Sequence, residues 1–102
     1  MAPTPDELRF HQEMLDVYDA AKALRYNATY FRQMVIDRGG LQAAHDLMAA
    51  SGESDGFRTL AGLGALHLSV EAHVLRPENQ HLFSAGEIST ARRRLRRHGY
   101  AK

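Results

Sequence analysis

A chain of 102 residues, 44% hydrophobic and 25% charged, has the composition of one globular domain with a modest buried core. It contains no cysteine, which excludes a disulfide framework and cysteine-based zinc sites and accords with a reducing cytosol. The formal net charge of +1 hides an asymmetry: residues 91–102 hold six of the thirteen basic residues and no acid, so residues 1–90 carry seven basic against twelve acidic side chains, a net of −5.

Helix punctuation is legible along the whole chain. Thr4-Pro5-Asp6-Glu7 reads as an N-cap, a proline at the first helical position and a glutamate three residues beyond the cap. Phe10, Met14, Val17, Ala21 and Leu24 follow at helical spacing, widened by Leu15 and Tyr18, so the first helix is expected from about Pro5 to Arg25. Asn27 is placed to cap a second helix through Tyr30, Phe31, Met34 and Val35, with Tyr30 and Phe31 expected in the core. Gly39-Gly40 supplies the left-handed residue that ends it. Leu41, Ala44, Leu47 and Met48 mark a third helix closing near Gly52. Ser54-Asp55-Gly56 opens a fourth through Phe57, Leu60 and Ala61, ending at Gly62 or Gly64. Ser69 caps a fifth from Val70 to Leu75, which must stop before Pro77, and a single turn follows over Glu78 to Leu82. Ser84 and Glu87 form a capping box for the last helix, Phe83 can staple onto Ile88, and Gly99 is placed to end it. No stretch alternates with period two. The expected fold is therefore all-α: a compact orthogonal domain of five to seven helices over residues 1–102, with 1–4 and 101–102 frayed and the last helix closing the core through Ile88, Leu95 and Tyr100.

The run Ala91-Arg92-Arg93-Arg94-Leu95-Arg96-Arg97-His98 is the candidate site. Ile88, Ala91 and Leu95 make a narrow apolar seam, Arg93, Arg94, Arg96 and Arg97 spread over the opposite arc, and Arg92 flanks the seam. Arginine holds a constant charge and pairs with phosphate in a bidentate manner, so Arg92, Arg93, Arg94, Arg96 and Arg97 are the expected polyanion-binding residues. The competing reading is a solvated helix whose cations complement its own dipole, or one that pairs with acidic residues such as Asp6, Glu13, Asp16 or Asp19 of a second copy. A helix-turn-helix from Leu41–Ala50, Ser51–Ser54 and Gly56–Leu63 offers only Arg58 and Thr59 to read bases, which argues against it.

Other chemistry finds less support. His11, His45, His67, His73, His81 and His98 form no metal-ligand spacing, and scattered surface histidines are the expectation. Glu71 and His73, the pair an enzyme would use, lie two residues apart and point to different sides of a helix. No nucleophile elbow, phosphate-cradling loop or recognisable acid pair occurs, so no catalytic residue, metal or cofactor is expected. The start, Met1-Ala2-Pro3-Thr4-Pro5-Asp6, lacks the basic and apolar regions of a signal peptide. No apolar run approaches the roughly 20 residues that cross a bilayer. The expectation is a soluble cytoplasmic protein with no membrane partner.

The blocks Tyr26-Asn27-Ala28-Thr29-Tyr30-Phe31-Arg32-Gln33-Met34, Gly39-Gly40-Leu41-Gln42-Ala43-Ala44, Ser54-Asp55-Gly56-Phe57, Leu68-Ser69-Val70-Glu71-Ala72, Leu82-Phe83-Ser84, Glu87-Ile88, Arg94-Leu95 and Gly99-Tyr100 occur in order. Together they resemble a family of small bacterial all-helical proteins of unknown function. The resemblance spans residues 10–100 and implies a compact helical domain with no assigned activity. In that family the final helix commonly mixes acidic and basic residues, whereas this one is nearly all arginine, so polyanion binding would be a trait of this chain.

Overall fold

The Thr4 side chain accepts a hydrogen bond from the Glu7 backbone N–H at 3.2 Å and starts helix α1, Pro5–Ala23, with Pro5 where a missing N–H is harmless. In this computed structural model, which describes residues 3–100, the stripe Phe10, Met14, Val17 and Ala21 is buried. The expected fraying of residues 1, 2, 101 and 102 lies outside the described residues, and Thr4 is held by its capping bond. The remaining helices are α2 (Thr29–Arg38), α3 (Gly40–Ala49), α4 (Asp55–Gly62), α5 (Val70–Val74) and α6 (Ala85–Arg97), with 3₁₀ turns at Leu66–Leu68 and Gln80–Leu82. No strand forms among the described residues, so the fold is all-α, as expected.

Three helices end in the same motif for the same reason. After α1, α4 and α6 the chain turns left-handed at one residue, and the next N–H reaches back to a carbonyl in the last turn. Tyr26 bonds to Ala21 at 3.0 Å, Ala65 to Leu60 at 2.8 Å and Tyr100 to Leu95 at 3.0 Å. Each returning residue also packs in the apolar cluster of the residue it bonds to. Glycine fills the left-handed position twice, at Gly64 (φ 67°) and Gly99 (φ 76°), but after α1 the position is Arg25, at φ 65°.

The α2–α3 corner depends on two glycines that act differently. Gly39, at φ 86° and ψ 150°, occupies backbone space that only glycine reaches without strain. Gly40 lets two helices touch: a Cβ there would lie 2.6 Å from the His11 Cα. Its N–H donates to His11 Nδ1 at 2.8 Å, so His11 supplies the cap that the glycine cannot. Asn27 does not cap α2. Its side chain is taken by the Tyr18 hydroxyl at 3.0 Å, and the helix begins at Thr29 with no side-chain cap.

The main core gathers Phe10, Met14 and Val17 of α1, Val35 of α2, Ala43, Ala44 and Met48 of α3, Val70 and Val74 of α5, then Phe83 and Ala91. Ile88 packs on that cluster, while Leu95 and Tyr100 join Phe57 and Leu66 in a smaller one. Thus α6 closes the core through the expected residues. Tyr30 departs from expectation: it is 83% exposed, and Phe31 is half-buried, because α2 turns only Val35 fully inward.

Candidate polyanion-binding face

Helix α6 owes its position to its first turn. Glu87 N–H donates to the Ser84 hydroxyl at 3.1 Å, and Ser84 N–H donates to Glu87 Oε1 at 2.9 Å, closing the capping box. The other carboxylate oxygen of Glu87 lies 2.6 Å from His45 Nδ1 on α3, so one side chain caps α6 and ties it to its neighbour. Burial works against the Glu87 carboxylate. The Ser84 backbone N–H and His45 outweigh that and hold the group below its ordinary range.

With about 100° between successive residues, the six positions from 92 to 97 divide into two arcs. Arg92, Arg96, Arg93 and Arg97 occupy about 140° of contiguous surface. Ala91, Arg94 and Leu95 lie on the opposite arc and are buried. Arg93, Arg96 and Arg97 are exposed and Arg92 is half-buried.

Arg94 corrects the sequence reading, which set it on the outward arc. It is only 4% exposed. One guanidinium nitrogen donates to the Leu47 carbonyl at 3.0 Å and to Glu71 Oε2 at 3.1 Å, and the other to the Ala50 carbonyl at 2.9 Å. Leu47 and Ala50 lie at the end of α3, where carbonyls lack helical partners and the dipole attracts a cation. Helix α3 has no basic residue of its own in the last turn; α6 supplies it. Arg94 is therefore a structural bolt and cannot reach a phosphate in this fold.

The C-terminal end of α6 is fixed through Glu53, whose side chain is 8% exposed and lies 2.9 Å from His98, 3.5 Å from Arg97 and 3.9 Å from Arg58. Arg92, Arg93 and Arg96 make no ion pair among the described residues. Arg58 adjoins the same end of the helix, since it shares Glu53 with Arg97. Of the two groups that the helix-turn-helix reading offered, Arg58 stays exposed with Glu53 and Asp55 at 3.9 and 3.6 Å, and the Thr59 hydroxyl donates to the Asp55 carbonyl at 2.9 Å.

The histidines lie apart from one another, and only His73 is buried, but four of the six pair with an acid. His73 pairs with Glu13 at 2.6 Å, His45 with Glu87 at 2.6 Å, His81 with Asp6 at 2.8 Å and His98 with Glu53 at 2.9 Å. Glu13 also accepts from Asn79 at 3.1 Å, and Arg9 donates to the Asn79 side-chain oxygen at 2.9 Å. Glu71 and His73 serve different partners, Arg94 and Glu13. Among the described residues no three His, Asp or Glu side chains are grouped to hold a metal ion.

A cavity of about 320 Å³ opens elsewhere, between the C-terminal half of α1, the start of α2, the N-terminus of α4 and the start of α5. Tyr26, Tyr30, Phe31 and Phe57 line it with Asp55 and Glu71. Burial pushes the Glu71 carboxyl above its usual range, against the pull of Arg94. Burial and the charge of Asp55 raise the Tyr26 hydroxyl.

The class that fold and surface define is an all-α domain of six helices, among the described residues, with one arginine-lined face. No helix among those residues is long and apolar enough to cross a membrane. No protein-family model matches the chain, and no curated protein or solved structure matches it.

Proposed function

We propose that this protein is a non-catalytic binding module that engages nucleic acid through Arg92, Arg93, Arg96 and Arg97 of α6. The supporting observation is the continuous arc these four side chains form on the face of α6 opposite its buried residues. Arg92–Arg96 and Arg93–Arg97 are four apart and Arg93–Arg96 three apart. Such like-charge pairs destabilise a helix by about 0.2–0.5 kcal/mol each. Among the described residues Arg92, Arg93 and Arg96 have no acidic partner to offset this, and a phosphate backbone would supply one. Pairing with the acidic face of a second copy is less well supported. Asp6 is already engaged by Arg9 and His81, and Glu13 by His73 and Arg76, which leaves Asp16 and Asp19 as the exposed acids of α1 without an ion pair among the described residues.

Four phosphate contacts correspond to a slope of about −3.6 for log K against log salt on duplex DNA, and three to about −2.7. Fluorescence anisotropy of a labelled duplex titrated from 25 to 200 mM salt reads that slope directly. Arg93→Ala, Arg96→Ala and Arg97→Ala combined should abolish binding while circular dichroism stays unchanged. Binding that ignores salt, or survives the triple substitution, would reject the proposal.

A further inference from the structure

The arginine face leaves the cavity beside α4 without a role, and its lining is unusual for a gap in a small core. Four of the eight tyrosines and phenylalanines of the chain face it: Tyr26, Tyr30, Phe31 and Phe57. Its volume of about 320 Å³ is at the lower end for small-molecule sites and roughly twice that of an apolar cavity that accepts benzene. Space remains because Ala21 and Ala28 place small side chains on its wall. Both charged residues on the lining, Asp55 and Glu71, are acidic, and no basic residue lines it. Arg94 binds Glu71 at Oε2 but does not line the cavity. Asp55 is fully exposed, with Arg58 at 3.6 Å, a separation that adds little in water. Ring faces are the negative part of an aromatic side chain and attract a cation. Rings and carboxylates therefore favour the same sign of ligand charge, and the apolar wall favours a hydrophobic body.

We infer that this cavity is a binding site for a small organic cation, an amine or quaternary ammonium on an apolar body of about ten non-hydrogen atoms. The Glu71 carboxyl, raised by burial, gains a second compensating charge when the cation enters. Tyr30, 83% exposed, lines the same cavity.

The test uses three matched probes, 2-phenylethylamine, 2-phenylethanol and phenylacetate, titrated into the full-length protein and followed by calorimetry and by backbone amide NMR shifts. The amine should bind about tenfold tighter than the alcohol, and phenylacetate weakest, the sum of one exposed carboxylate pair and one cation–π contact. Shifts should centre on Tyr30, Phe31, Gly56 and Glu71. Asp55→Asn should bring the amine to within about threefold of the alcohol, and Tyr30→Ala should weaken the amine about two- to fivefold. Both positions are exposed, so the variants are expected to fold, and unchanged amide dispersion checks this. The Arg93, Arg96 and Arg97 triple variant should bind the amine as wild type does, which separates this site from the arginine face. Equal affinity for all three probes, or no shifts around the cavity at millimolar amine, would overturn the inference.

Discussion

Replacing Arg94 by methionine removes the guanidinium that joins α6, α3 and α5 while keeping most of the apolar stem. The consequence follows from what is left behind. Glu71, only 3% exposed, loses its cationic partner, and the carbonyls of Leu47 and Ala50 lose their donors. An unpaired buried carboxylate can escape by taking up a proton. From an ordinary value of 4.5 that costs at most about 3.4 kcal/mol at pH 7. Loss of the two charge-assisted carbonyl bonds adds about 1–3 kcal/mol after water reaches them. The expected total of about 4–6 kcal/mol is a large part of the stability of a domain this size. Urea denaturation followed by circular dichroism measures it, with Arg93→Met, on the exposed arc, within about 0.5 kcal/mol of wild type as the control. The pH dependence supplies a signature. In the variant the folded state holds a proton on Glu71 that the unfolded state releases above 4.5. Stability must therefore fall as pH rises through the window above that value, by up to about 1.4 kcal/mol per unit. The deficit should shrink between pH 7 and pH 5. Glu71→Leu combined with Arg94→Met should recover at least about 2 kcal/mol relative to the sum of the single changes. A cost for Arg94→Met no larger than that for Arg93→Met would refute the assignment of Arg94 as a structural bolt.

Two further expectations concern the helix ends. Arg25 occupies a left-handed position where α4 and α6 have glycine; Arg25→Gly should stabilise the fold by about 0.5–1 kcal/mol, relief of strain exceeding the added freedom of the unfolded chain, and a lowered melting temperature would contradict this. Glu87→Gln keeps the cap but removes the charge beside His45, and should cost about 0.5–1.5 kcal/mol at pH 7. Because the folded Glu87 carboxyl is held below 4.5, its contribution is present above that value and lost as pH falls through the folded one. The acid limb of the stability curve should flatten in Glu87→Gln, and an unaltered limb would show that the carboxylate contributes nothing there.

Local signals carried most of the fold. Thr4, Ser54, Ser69 and Ser84 each accept from the backbone N–H three residues on, because capping involves neighbours in the chain. Asn27 failed as a cap because a remote side chain, Tyr18, claims it. The outward arc is the wrong place for Arg94: steps of about 100° set it beside Ala91, and the position of the α3 end, which periodicity does not encode, completes its burial. The clue in sequence was Glu71, an acid between Val70 and Ala72 in a helix of five residues with little room for an exposed face. The histidine pairs were hidden by distance: their partners lie 42 to 75 residues away. The cavity was hidden too, since its aromatic residues follow the spacing of a core.

That distance bears on the order in which the chain can fold. Along α1, Asp6 awaits His81, Arg9 awaits Asn79 and Glu13 awaits His73. Helix α1 is thus completed by residues synthesised 60 to 75 positions after their partners. Until they emerge, α1 has its apolar stripe and its cap but none of these long-range polar contacts. Its final locking waits for α5 and the turn that follows it, which couples α1 to those later elements instead of letting an N-terminal half fold ahead of them.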